Sequence, residues 1–132
     1  MGQLQGNSSP DGGRLDGSLQ KTAVVAATHI AIGAGWGTTA TKALITPSSD
    51  QRGGVTITSA GTGQSQATAT VVLTFADGAF AAAPMCMATV TSTSSIDEGH
   101  VVCTATTTAL TMTFSVLPVD TKVYTIKWLC IA

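Results

Sequence analysis

The sequence predicts an all-β protein, an antiparallel, jelly-roll-like β-sandwich of about seven or eight strands that follows an extended N-terminal arm. Short runs of alternating apolar and hydroxyl side chains predict the strands, and residues 110–116 form the clearest of these runs. Clusters of Gly, Ser, Pro and Asp separate the runs at roughly the 8–12-residue spacing that is typical of sandwiches and barrels. No stretch shows the apolar spacing of an amphipathic helix of useful length.

The chain divides into two segments of different composition. Residues 1–21 are rich in Gly, Gln, Asn, Ser and Asp, which predicts an extended arm, and residues 22–132 form the predicted sandwich domain. The domain begins with an Ala-rich part that favours a short helical turn, after which Ile30 and Ile32 share one face of a strand. The glycines on both sides of Trp36 end this strand and allow a sharp bend around one large indole ring.

The later strands follow from the same alternation. A hairpin is predicted between residues 54 and 75, where two β-branched runs flank a loop rich in Gly and Ser. In the closing strand, Tyr124, Ile126, Trp128 and Cys130 share one face. The complete set of predicted strands after the first covers residues 42–46, 55–58, 69–75, 84–91, 100–106, 110–116 and 122–131.

The low content of charged residues is the most informative feature of the composition. Charged residues make up 10% of the chain, against roughly 25% in an average soluble domain. A surface with so few charges exposes apolar patches, and such patches usually mark interaction sites. We therefore expect much of the surface to be buried against other chains, and we predict a homo-oligomer, specifically a homotrimer. The alternative is a Thr-rich secreted domain that stays monomeric.

Charge and hydropathy also bear on the partners. The formal net charge is −1 and the Lys and Arg residues form no cluster, so we expect no nucleic-acid binding, which depends on contacts with phosphates. No apolar run approaches the ~20 residues that span a bilayer, so we expect no membrane segment. The N-terminus lacks the charged and apolar regions of a cleaved secretory signal, so none is expected.

The three cysteines are an odd number, which favours free thiols in an intracellularly assembled protein over a disulfide framework. Zinc binding is the alternative, but structural zinc sites usually bring cysteines in closely spaced pairs, whereas Cys86, Cys103 and Cys130 lie on separate strands. Each cysteine alternates in phase with apolar residues. The sequence therefore predicts three buried free thiols, no metal and no cofactor.

No residue cluster indicates an enzyme. Asp97, Glu98 and His100 are the closest approach to a metal or acid–base site, but they lack the ligand spacing of a calcium loop and are predicted to lie in a solvated loop. No serine has the context of a nucleophile elbow, and no helix follows the glycine pairs to form a phosphate loop. We expect no catalytic residues.

The few aromatic residues are predicted to be anchors of the core or of a subunit interface. They are Trp36, Phe75, Tyr124 and Trp128. The alternative for Trp36, Tyr124 and Trp128 is stacking on a sugar in a carbohydrate-binding module. Aromatic residues are only 5% of the chain, which favours the anchoring role.

Several features taken together resemble a known family. An apolar strand runs into the Trp36 turn, and the 54–58 strand, the Gly-Thr-Gly loop at 61–63 and the 71–75 strand follow. Ala83-Pro84 then opens a further strand, and the last strand closes the chain. This order resembles the small β-sandwich knob domains in fibre and head-decoration proteins of tailed bacteriophages. The sequence departs from that pattern at residues 85–87, where Met-Cys-Met replaces the expected β-branched residues.

The resemblance covers residues 28–132 and implies a trimeric virion component without enzymatic activity, assembled in the host cytoplasm. The short arm favours a capsid decoration or head-fibre subunit over a tail tip. We expect the arm to attach to the major capsid protein or another virion protein through Leu4, Leu15 and Leu19, which are its main apolar side chains. The alternative is the tip domain of a tail fibre that binds a receptor or a host surface glycan.

Overall fold

The computed structural model describes residues 23–92 and 100–132, and in these residues the chain is almost entirely β-structure. Three single-turn 3₁₀ helices cover Ala27–His29, Ala34–Trp36 and Gln66–Thr68. The strands, in chain order, are β1 (Ile30–Ile32), β2 (Thr41–Ile45), β3 (Arg52–Thr58), β4 (Thr70–Thr74), β5 (Met85–Ser92), β6 (Val101–Ala105), β7 (Ala109–Phe114) and β8 (Val123–Ile131).

The eight strands form two antiparallel sheets of four strands each. The first sheet has the order β1-β4-β7-β6 and the second has the order β2-β3-β8-β5. Buried side chains from both sheets join in one hydrophobic core, to which β3 contributes Val55 and Ile57 and β7 contributes Leu110 and Met112. The predicted antiparallel β-sandwich of about eight strands is confirmed.

The hairpin predicted between residues 54 and 75 is wrong. Strand β3 pairs with β2 and β8, whereas β4 lies in the other sheet between β1 and β7. The connection from β3 to β4 therefore crosses between the sheets. It is held by the turn around Trp36, since Ala60 N donates to the Trp36 carbonyl oxygen and Ser65 N donates to the Gly35 carbonyl oxygen.

Trp36 lies at the centre of the core and joins the two sheets. Its ring centroid is 5.2 Å from that of Phe114 on the first sheet and 5.4 Å from that of Tyr124 on the second. Its indole Nε1 donates a hydrogen bond of 2.9 Å to the Thr70 carbonyl oxygen, so the polar atom of the buried ring has a partner. A side chain at Gly35 would lie 2.2 Å from the Ser65 carbonyl oxygen, which explains the glycine before the tryptophan.

Asp50 is a fully buried carboxylate that links two connections of the sandwich. Its Oδ1 accepts a hydrogen bond of 2.6 Å from Ala76 N, and its Oδ2 accepts one of 2.8 Å from Asp77 N. Asp50 lies in the connection between β2 and β3 of the second sheet, and the two donors follow β4 of the first sheet. The carboxylate therefore holds the two sheets together at this end.

Candidate interaction face

Strand β5 lies at an edge of the second sheet and exposes large apolar side chains to solvent. Met85 and Met87 are 78% and 60% exposed, and on the neighbouring strand Leu129 and Ile131 are 44% and 58% exposed. The register pairs Met85 with Ile131 and Met87 with Leu129, so the four side chains form two adjacent cross-strand pairs. We call these four residues the apolar face.

The opposite face of the same two strands is closed by a disulfide bond. Cys86 lies directly across from Cys130, and their sulfur atoms are bonded with a Cα–Cα distance of 4.1 Å. The prediction of three free thiols is therefore wrong. Side-chain alternation correctly placed both cysteines towards the core, but it did not reveal that the two strands are neighbours. The bond fixes the edge strand that presents Met85 and Met87.

Cys103 is the free cysteine of the described residues. It is half-buried on β6, packs against the core, and burial raises the pKa of its thiol above the ordinary value. Because the thiolate is the reactive form of cysteine, a raised pKa makes this thiol a poor nucleophile at neutral pH. Cys103 thus behaves as a small apolar residue of the core, as the sequence predicted.

The sequence contains a signal for the apolar face that the strand analysis did not use. A strand with one face in solvent alternates apolar and polar residues, whereas a strand covered on both faces has a nearly continuous apolar run. Residues 85–88 are apolar without interruption, and so are residues 128–132. Such runs indicate a second covered face. The Met-Cys-Met run at residues 85–87 lies at the same place.

The predicted anchors all lie in the hydrophobic core of the described domain. Trp36, Phe75, Tyr124 and Trp128 are each at most 5% exposed, so they do not reach the surface of the isolated chain. A sugar therefore has no access to the faces of these rings. The Oη atom of Tyr124 accepts a hydrogen bond of 2.9 Å from Val119 N, and Trp128 Nε1 donates one of 3.1 Å to the Ser49 carbonyl oxygen.

Other residues singled out by sequence lie partly outside the structure. Leu4, Leu15 and Leu19 fall outside the described residues, as do Asp97 and Glu98. His100 is exposed and directly precedes β6. Within residues 23–92 and 100–132, no three His, Cys, Asp or Glu side chains lie close enough together to hold a metal ion.

A groove of about 420 Å³ opens at one end of the second sheet, near the apolar face. Its lining includes Gly54, which pairs with Ile45 on β2 and with Lys127 on β8. Arg52 also lines it and pairs with Leu129 of the apolar face. The sequence did not reveal the groove, because Lys127 and Trp128 join residues of the 45–54 region only through the pairing of β3 with β8.

Among the described residues, no helix is both long and apolar enough to cross a membrane. No protein-family model matches the chain, and no curated protein and no solved structure matches it either.

Proposed function

We propose that this chain is a structural virion protein, a capsid decoration or head-fibre subunit that forms a homo-oligomer. The apolar face of Met85, Met87, Leu129 and Ile131 is the observation that supports assembly. The virion context rests on the resemblance of residues 28–132 to phage knob domains. In this proposal the apolar face joins copies of the chain, and the N-terminal arm attaches the oligomer to the particle.

The occupant of the apolar face is another copy of the same chain. Strand β5 is hydrogen-bonded only to β8 within the described residues, and its other edge lies beside β6 of the first sheet. The surface that stays open is therefore the outer face of β5 and β8, and an exposed apolar patch of this kind marks an interaction site. Closed association with identical subunits covers the four side chains together.

The charge content of the whole chain supports the same occupant. Solvated charges limit association between protein surfaces, and only 10% of all residues are charged. The four members of the apolar face carry no charge, and two exposed cations, Arg52 and Lys127, border the face at Leu129. A threefold arrangement is the simplest that agrees with the phage resemblance, and it would use two different patches on each subunit.

A charge-insertion experiment tests the assembly. The variant Met87→Lys places a charge within the apolar face, whereas the control Val119→Lys places it in the connection between β7 and β8, where Val119 is 53% exposed. Light scattering at micromolar concentration should show an oligomer for the native chain and the control, and a 13.2 kDa species for Met87→Lys. A native chain that is monomeric, or an oligomer that tolerates Met87→Lys, would overturn the proposal.

The virion context needs a separate test. Electron microscopy of intact particles, labelled with a gold-conjugated antibody against this chain, should place the protein on the capsid or on a fibre attached to the head. Purified particles that lack this chain altogether would show that it is not a virion component, whatever its oligomeric state.

A further inference from the structure

We infer that the groove between Ile45, Gly54 and Lys127 is a binding site for a small organic anion, a carboxylate attached to a six-membered ring. This site goes beyond the proposed structural function and does not depend on it. Three features of the groove support the inference: its shape, its two cations and its apolar rim.

The groove has the volume of a ligand site and lies at one end of the second sheet. Ile45, Gly54 and Lys127 face the same side of the sheet, because Gly54 pairs with the other two. A methyl group built on Gly54 would lie 2.9 Å from Ile45 Cδ1 and 3.2 Å from Lys127 Cγ, so these two side chains fill the place above the glycine and form one wall. Arg52 and Pro47 also line the groove, and its volume of about 420 Å³ lies within the range of ligand sites.

The two cations lie at the same end of the sheet. Arg52 and Gly54 are two residues apart in β3, so their side-chain directions agree, and Gly54 pairs with Lys127. Arg52 and Lys127 are thus diagonal neighbours across two strands, with backbones roughly 7–8 Å apart. Both side chains line the groove. One carboxylate between them is within reach of the guanidinium and the ammonium group together.

No carboxylate is among the residues that line the groove. Its charged lining residues are Arg52 and Lys127, which are two of the four Lys and Arg residues in 23–92 and 100–132. The carboxylate of Asp50, in the connection before Arg52, accepts hydrogen bonds from Ala76 N and Asp77 N. The two cations in the lining give the groove its preference for an anion.

The remaining walls are apolar. Pro47, which is exposed, and Ile45, which is half-buried, form these walls, while Trp128 borders the groove but is only 3% exposed. These surfaces suit contact with the non-polar face of a ring rather than with an inorganic ion. A ring of that kind occurs in sugar acids and in aromatic acids, which share the chemistry that the groove recognises.

Titration followed by heteronuclear NMR tests the inference on the full chain. The probes are glucuronate, benzoate, inorganic sulfate and neutral glucose, and the reporters are the backbone amide signals of Gly53 and Gly54. At least one of the two ring carboxylates should shift these signals in a saturable way, and glucose should not. The comparison of glucuronate with benzoate decides between a sugar acid and an aromatic acid.

Matched variants assign the binding to the cations. The double variant Arg52→Ala/Lys127→Ala should weaken the affinity for the ring carboxylate by about tenfold, because each partly exposed ion pair adds only a small contribution to the binding free energy. The control Lys42→Ala, a cation on β2 outside the groove, should leave the affinity unchanged. All replaced side chains are exposed, so the fold should be retained.

Three results would overturn the inference. The first is that neither ring carboxylate shifts the glycine signals, and the second is that the double variant binds as tightly as the native chain. The third is that sulfate binds as tightly as the ring carboxylates, because the apolar walls would then have no role. The oligomeric state of each variant, measured in parallel, separates these outcomes from a failure of the proposed assembly.

Discussion

Replacing Asp50 by alanine should lower the free energy of unfolding by about 3 kcal/mol, because the buried carboxylate is the acceptor of two backbone N–H groups. The N–H of Ala76 belongs to a half-buried residue, and leaving it without a partner costs about 1–3 kcal/mol. Asp77 is an exposed residue, so water can replace the carboxylate there at a smaller cost of about 0.5–1.5 kcal/mol. The alanine variant no longer buries a charged carboxylate, and this gain offsets part of the loss. The expected loss of unfolding free energy is therefore smaller than the sum of the two upper limits.

A second variant and a control separate the hydrogen bonds from other effects. Asp50→Asn keeps the shape of the side chain but replaces one acceptor oxygen by an amide donor, so we expect a loss of about 2 kcal/mol. Asp120 is the control, since its Oδ1 accepts a hydrogen bond of 2.9 Å from Gly61 N at an exposed position. Asp120→Ala should cost less than about 1 kcal/mol, because water replaces the lost acceptor.

Urea denaturation of the three variants and the native chain measures these differences. The slope of the free energy against urea concentration should stay constant, so that the shift in midpoint reports stability alone. If Asp50→Ala and Asp120→Ala shift the urea midpoint equally, then burial does not strengthen the hydrogen bonds that the Asp50 carboxylate accepts. In that case the assignment of Asp50 as the link between the sheets is wrong.

Three further predictions concern the cysteines and the arm. Thiol titration under denaturing, non-reducing conditions should recover one thiol per chain, because Cys86 and Cys130 form a disulfide. The variant Cys86→Ser should lower the free energy of unfolding by about 2–4 kcal/mol, because this disulfide closes a loop with a sequence separation of 44. Recovery of all three thiols would contradict the disulfide. In the folded protein, iodoacetamide should modify Cys103 more slowly than free cysteine at pH 7, because the raised pKa keeps the Cys103 thiol protonated. The rate should increase as the pH rises through that pKa. A rate equal to that of free cysteine would show that burial does not protect the thiol. Deletion of residues 1–20 should leave the melting temperature and the oligomeric state nearly unchanged, but it should abolish binding to undecorated particles. Full decoration of particles by the truncated chain would show that the arm does not attach the protein.

The order and phase of the strands could be predicted from the sequence because side-chain alternation is a local property. Residues two apart face the same side of a strand whatever the strand pairs with. The core positions of Val71, Leu73, Tyr124 and Ile126 follow from this rule alone, and so does the inward direction of Cys86. The helical turn was predicted for the Ala-rich residues before Thr28, but the 3₁₀ turn lies at Ala27–His29, in the part that was predicted to begin the strand.

Strand partners could not be predicted, because pairing joins residues that are distant in the sequence. Two β-branched runs beside a Gly-rich loop are compatible with a hairpin and with a crossing between sheets. The crossing is favoured by contacts that the loop makes with the buried Trp36 turn. The same limit explains the disulfide error, since three isolated cysteines do not reveal which two strands are adjacent.

The sequence by itself therefore determined an all-β chain with defined inward faces and a low content of charged residues. Only the tertiary structure decided where the unusual surface lies. Pairing β5 with β8 brings Met85, Met87, Leu129 and Ile131 into one exposed face, and pairing β3 with β8 brings Arg52 to the side of Lys127. A surface site on a sheet consists of residues that are neighbours across strands. Which residues become neighbours depends on the hydrogen-bonded register between segments that are distant in the sequence.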